Sequence, residues 1–288
     1  MNLPFSKMHG AGNDFVMVAG EDLPPAGLDA AAVAALCHRR TGVGADGLIV
    51  VGPPPAGAAS SEPPVDFVMT YYNRDGGEAE MCGNGARCAV AFARYLGLAG
   101  DRCRFSTPAG VVAAEIRADG VEVALPGWRD LALDVDVDGS PFASHHLCDS
   151  GVPHLVIPVD DVDAVAVARE GPFLRRHPRP GADGTNVDWV GPAGDGASWR
   201  LRTFERGVEA ETLACGTGAA AAAVVLVSLG LAVSPVSLHT RGGDILVVTV
   251  DTERGTLRLR GPAVTVFTGE TRLGDTRPAG SGTQKETT

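Results

Sequence analysis

Lysine is nearly missing from this chain. Of its 24 basic residues only Lys7 and Lys285 are lysines. Lys7 falls in the first strand candidate and Lys285 in a polar C-terminal stretch. Neither offers the pocketed lysine that a pyridoxal Schiff base needs, so no such cofactor is expected. Six cysteines are present, yet no Cys-x-x-Cys pair and no Cys/His cluster with zinc spacing occurs. A structural metal is therefore not expected, and neither is any other metal site. Positive charge is also short, 24 basic against 35 acidic residues for a net charge of −11. That balance argues against nucleic-acid and membrane-surface partners. Met1 to Gly12 has no apolar run of the signal-peptide kind. The reading is a cytoplasmic protein whose cysteines are reduced thiols.

What is present is an ordinary globular composition, 44% apolar and 20% charged over 288 residues. That suits one large domain or two smaller ones. The stretch from Ala214 to Pro235 carries no charge. It is long enough to imitate a membrane span, but alanine is weakly hydrophobic and no positive cluster flanks it. A helix apolar all round is instead the buried centre of a domain. Gly52 to Pro64 reads as a surface loop, and 275–288 as a disordered tail.

A weak internal repeat organises the rest. Glu78 to Ala86 resembles Glu209 to Ala219, each following a strand candidate (Val65–Asn73, Trp199–Arg206) and opening a helix candidate (Asn84–Leu98, Gly216–Leu231). Cys82 and Cys215 lie 133 positions apart, and twice that offset spans most of the chain. A second echo sets Gly12 to Val16 against Val152 to Val156. Alternating residues in Val111–Ile116, Val121–Leu125, Ile245–Val250 and Thr256–Leu259 predict antiparallel strands. Asp29 is placed to cap a helix over Ala30–Arg40. The expected class is α+β: two similar halves, each a mixed, mostly antiparallel sheet around a central apolar helix, with the active site in the cleft between them. The expected boundaries are 1–128 and 129–261, with 262–274 returning to the first half.

Each half thus sets a cysteine at a strand-to-helix elbow, in Cys82-Gly83-Asn84-Gly85 and Cys215-Gly216-Thr217-Gly218. Amides at a helix N-terminus bind anions and lower the pKa of a nearby thiol. Two such elbows facing each other would hold a carboxylate with its α-carbon between two thiols. One thiolate removes the α-proton while the opposite thiol delivers a proton to the other face, a two-base epimerisation without cofactor. Rivals from other classes are a thiol redox protein cycling Cys82 and Cys215, and a non-catalytic amino-acid-binding module.

These residues carry a family resemblance. The chain resembles diaminopimelate epimerase through Phe5 to Phe15, Gly42 to Gly47, Asn73 with Asp75-Gly76, and Cys82 to Cys88. The likeness continues through Pro153-His154, Gly184 to Val187, Glu205 to Gly207 with Glu211, and Ala214 to Gly218. The resemblance implies Cys82 and Cys215 as the acid/base pair and the backbone of Gly83, Asn84, Gly216 and Thr217 as the grip on the reacting carboxylate. It implies that Asn13, Asn73, Asn186 and Arg206 hold the rest of the substrate, with Glu205 also in contact. Glu205 and His154 would adjust the thiol pKa values. It further implies interconversion of LL- and meso-2,6-diaminopimelate for lysine and peptidoglycan synthesis, and a homodimer. Without it, His154 would be a structural histidine, and Asn13 and Asn73 turn asparagines.

Two positions depart from the family pattern. Many members carry Gln at the place of Gly47, and Asn at the place of Val152, where one distal polar contact is removed. Arg206 still offers a fork for a distal carboxylate. Val152 keeps a related racemase of another amino acid open as the alternative. Cys37, Cys88, Cys103 and Cys148 read as core, and the adjacent His145 and His146 as surface residues. Phe267 lies where a dimer-contact aromatic would fall, although a core strand phenylalanine fits the pattern as well.

Overall fold

The computed structural model describes residues 1–55, 64–79 and 81–273. Most of the expected 52–64 loop, the 275–288 tail and Glu80 of the repeat lie outside them. In the first half the strands are β1 (Asn2–Gly10), β2 (Asn13–Ala19), β3 (Gly47–Gly52), β4 (Phe67–Asn73), β5 (Glu78–Ala79), β6 (Arg102–Thr107), β7 (Gly110–Arg117) and β8 (Gly120–Leu125). Helices α1 (Ala30–Cys37) and α2 (Gly83–Tyr95) are set among them. The second half repeats the order with β10 (His146–Asp149), β11 (Pro153–Pro158), α3 (Val167–Arg175), β12 (Asn186–Pro192), β13 (Trp199–Glu205) and β14 (Ala210–Thr212). It continues with α4 (Gly216–Ser228), β15 (Val236–His239), β16 (Ile245–Asp251) and β17 (Thr256–Gly261). Two strands stand outside the repeat, β9 (Arg129–Ala132) and β18 (Val264–Arg272).

Strand pairing follows the repeat. β2 runs parallel to β3, and β11 parallel to β12. β4 is parallel to β6 as β13 is to β15, and the remaining pairs within each half are antiparallel. The halves join where β8 and β17 pair antiparallel, with Val123 opposite Leu259. Of the two extra strands, β9 adds to β10 within the second half, and β18 crosses over to add to β1 of the first.

The two helices that follow the elbows share one core. Ala219 to Leu226 of α4 are fully buried, as are Ala86, Cys88, Ala89, Val90 and Ala93 of α2, all in the same apolar cluster. This is where the uncharged run goes; no helix among the described residues is long and apolar enough to cross a membrane. Smaller apolar clusters form on the α1 side and the α3 side.

Both central helices also end alike. Leu98 N–H bonds back to Ala93 O and Leu231 N–H to Leu226 O, each across a left-handed glycine, Gly97 at φ 74° and Gly230 at φ 69°. These are paired Schellman ends. They stop the helices at Tyr95 and Ser228, short of the ends that hydrophobicity suggested. α1 likewise stops at Cys37, with Asp29 accepting from the Ala32 amide as its cap. Cys37, Cys88, Cys103 and Cys148 are buried free thiols.

His145 and His146 are not surface residues. His145 is 5% exposed and His146 fully buried. Each spends its ring nitrogens locally: His146 Nδ1 accepts from the Asp134 amide, and serine hydroxyls meet His145 Nε2 (Ser140) and His146 Nε2 (Ser144). The sequence shows two adjacent polar residues, but not that the loop before β10 folds over them.

Candidate active site

The elbow cysteines are the N-caps of α2 and α4, both in extended backbone conformation. The two helix starts meet. A Cβ placed on Gly216 would lie 3.6 Å from Asn84 Oδ1 and 4.0 Å from Gly83 Cα, with Leu259 of the joining strand directly beneath. Asn84 Nδ2 donates to Ala214 O at 3.4 Å, across the junction of the halves. Thus Gly83 and Asn84 of one elbow meet Ala214 and Gly216 of the other, each helix start preceded by its cysteine.

Around Cys82 the nearest polar groups are amides, with the Arg87 and Glu205 charges also reaching it. The thiol donates to Asn13 Oδ1 (3.5 Å), which also accepts from Asn84 Nδ2 (3.3 Å). Asn13 is oriented in turn by Asp46, whose Oδ2 accepts from its Nδ2 at 2.9 Å. Behind it, Asp14 is paired with Lys7 and Arg39; despite burial, these cations hold it down to about 2.

Around Cys215 the groups are acids. Gly218 N–H donates to Cys215 Sγ (3.3 Å), and Thr217 Oγ1 lies 3.4 Å from it. Glu205, at the end of β13, accepts from Thr212 Oγ1 and bears on both thiols. Burial pushes its carboxyl up. His154 and Asn186 sit opposite each other on the parallel pair β11 and β12. His154 Nδ1 faces Asp188 Oδ2 at 2.6 Å, and Thr203 Oγ1 donates to Asp188 Oδ1 at 2.6 Å. Arg206 N–H donates to Asn186 Oδ1 (2.8 Å), which turns Asn186 Nδ2 toward His154 Nε2 (3.5 Å). Nε2 is then the acceptor and Nδ1 carries the proton.

Helix ends alone would lower both thiols. In the free protein the net effect is the reverse. Burial pushes Cys82 up, although the Gly85 and Asn84 amides and Arg87 pull the other way. Burial, with Glu205 and Asp188, pushes Cys215 well above the ordinary thiol range. Desolvation of a thiolate outweighs a few aligned amides here.

Asn73 stands apart from this cluster. It ends β4, exposed, with its backbone N–H on Gly77 O, and takes no part in the hydrogen bonds that join the other candidates. Gly47 has no room for a longer side chain: a Cβ there would fall 2.5 Å from the Tyr71 ring. Sequence reasoning overlooked Asp188, Asp46 and Arg87. Asp188 had a signal, since it shares a strand face with Asn186 two residues away.

Residues 5–126 and 146–271 match the family described as diaminopimelate epimerase. This chain belongs to the diaminopimelate epimerase family. A diaminopimelate epimerase of Aquifex aeolicus is 40% identical over 278 residues, covering 93% of this chain and 97% of its own. One from Azoarcus sp. is 42% identical, covering 95% and 100%. Among solved structures, a phenazine biosynthesis protein of the PhzF family from Bacillus anthracis superposes with TM-score 0.69 at 14% identity, over 95% of this chain and 100% of its own. A probable proline racemase from Agrobacterium radiobacter gives 0.67 at 17%, over 94% and 93%. At those identities the likeness is one of fold, the α+β two-repeat architecture.

Proposed function

We propose that this protein is a two-base epimerase, working without cofactor, that interconverts LL- and meso-2,6-diaminopimelate. The observation that carries the proposal is the meeting of two cysteine-capped helix starts, one from each half, with Gly216 against Gly83 and Asn84. A carboxylate seated on the amides of Gly83, Asn84, Gly216 and Thr217 would present its α-carbon between Cys82 and Cys215. Removing the α-proton builds negative charge on that carboxylate. Fixed N–H dipoles in a water-poor site stabilise it without reorganising. One cysteine acts as thiolate base and the other as thiol acid, and the roles exchange with the direction of reaction.

Glu205 bears on both thiols, with His154 beside it, and these two adjust the thiol pKa values. Asn13, Asn73, Asn186 and Arg206 hold the rest of the substrate, and Arg206 offers its guanidinium to the second carboxylate. The product would feed lysine and peptidoglycan synthesis in the cytoplasm. The partner is a second copy of the chain. Val264, Val266 and Phe267 of β18 are 43%, 57% and 48% exposed, an apolar row on a strand whose one described neighbour is β1.

A stereochemical assay on a panel of amino acids tests the reading. LL- and meso-diaminopimelate should interconvert, with exchange of the α-proton for solvent deuterium, after dialysis against chelator and treatment with borohydride. Lysine, which lacks the distal carboxylate, should not react. Equal turnover of lysine, or activity restored only by pyridoxal phosphate or a metal, would reject it.

A further inference from the structure

Arg87 is a fully buried arginine one turn into α2, and nothing above assigns it a task. A guanidinium cannot shed its charge, so it needs compensation in the interior. Its hydrogen bonds all go to neutral oxygens: Nη2 to Asn84 Oδ1 (2.9 Å), Nη1 to Gly83 O (3.3 Å) and Nε to Pro262 O (3.2 Å). No carboxylate among the described residues forms an ion pair with it; the acid whose charge reaches it is Asp244. The cradle is close-fitting, since a Cβ on Gly10 or Gly261 would come within 3.2 Å of the guanidinium.

These contacts do two things. By taking Asn84 Oδ1, Arg87 turns Asn84 Nδ2 outward to Asn13 Oδ1 and, across the junction, to Ala214 O. It also sets a full positive charge behind the first turn of α2. The second elbow has the opposite surroundings, Glu205 and Asp188. We infer that Arg87 is the positioning residue of the first elbow: it fixes Asn84 and makes the Cys82 side the anion-holding half of the site. Burial keeps the Cys82 thiol up in the free enzyme, so the counter-ion is the Cys82 thiolate only once that thiol ionises, and the substrate carboxylate in the complex. This rests on the epimerase reading for its substrate, but not for its effect on the thiol. The groups that bear on Cys82 are Arg87 and Cys88 of α2, Asn13 of β2, Tyr71 of β4 and Glu205 of β13.

The test is the pH dependence of iodoacetamide alkylation, with Cys82 and Cys215 followed separately by peptide mass spectrometry at initial rates. It compares wild type with Arg87→Met, which removes the charge, and Arg87→Lys, which keeps the charge and loses the fork. A nearby cation changes the ionised fraction of an acid at fixed pH by about tenfold or more. Cys82 in Arg87→Met should therefore alkylate about tenfold more slowly at neutral pH, its profile moved upward, with Cys215 unchanged. Arg87→Lys should recover most of the Cys82 profile while KM for diaminopimelate stays raised, because Asn84 has lost its anchor. A folded Arg87→Met protein with a wild-type Cys82 profile would overturn the inference. Should that variant fail to fold, wild type decides: Cys82 must alkylate at lower pH than Cys215, and the reverse order overturns the inference. Alkylation needs no turnover. A shifted Cys82 profile in a protein inert to diaminopimelate would reject the substrate and leave Arg87 in its role.

Discussion

Two cysteines in near-identical sequence contexts are met here by unlike neighbours. Cys82 bonds Asn13 and lies near the Asn84 amide and the Arg87 charge, while Cys215 lies near Glu205 and Asp188; Glu205 reaches both thiols. The asymmetry matters because a two-base reaction needs one thiolate and one thiol at once. Serine at either position keeps the elbow and removes the usable base. Cys82→Ser and Cys215→Ser should each lower kcat for epimerisation by about 10²–10⁴-fold, the usual share of a general acid or base. Neither should move the unfolding midpoint by much, because one atom changes and the helix starts remain. A β-halogenated substrate analogue separates the roles further. Each mutant should eliminate halide only from the isomer whose α-proton faces its remaining thiol, so the two mutants should prefer opposite isomers. Matching preferences in an elimination assay would remove the two-base assignment. The cysteines themselves could be read from the sequence because their elbows repeat. Asp188 is marked there only by sharing a strand face with Asn186; its role is visible in what it touches, a buried imidazole on one oxygen and Thr203 on the other.

Secondary-structure elements followed the sequence closely where alternation or a repeat marked them, and less closely where an end is set by one residue. The paired left-handed glycines that close α2 and α4 are such ends. A Cβ at Gly97 or Gly230 would meet nothing within 4 Å, so alanine there is penalised by backbone conformation alone. Gly97→Ala and Gly230→Ala should each lose about 1–2 kcal/mol in urea unfolding, and by similar amounts, since the two turns are copies. A near-zero cost at either would mean that the turn is not needed to stop the helix. The segment before β10 carries a second consequence. Burial pushes His145 and His146 below their ordinary value; the charge of His146 also lowers His145, with Asp136 and His177 near the first and Asp134 near the second. The unfolded chain protonates these rings near pH 6.5, the folded chain only lower. Their contribution is therefore complete above about pH 6.5 and is lost as pH falls below it. The urea midpoint should drop between pH 7.5 and 5.5, and His146→Gln should flatten that drop; a slope unchanged by the substitution would exclude the mechanism.

At the scale of the whole molecule the two halves are not separable bodies. Their helices share one apolar cluster, β8 and β17 are hydrogen-bonded, and β18 completes the sheet of the first half by pairing with β1. Residues 1–128 expressed alone should show little cooperative unfolding by near-UV circular dichroism, and mixing with 129–273 should restore it. A cooperatively folded isolated fragment would contradict the shared core. The sequence by itself determined the two-half α+β plan, the cysteine elbows and the burial of the Ala-rich helix, because repeat spacing and hydrophobic pattern are local properties written along the chain. Only the tertiary structure decided that burial overrides the helix ends in setting the thiols. It also decided that Asp188 holds His154, that Arg87 bonds only neutral oxygens among the described residues behind Cys82, and that His145 and His146 are interior. Each of these depends on which residues distant in sequence exclude water from the same place. Desolvation and pairing are properties of that meeting and not of any one segment.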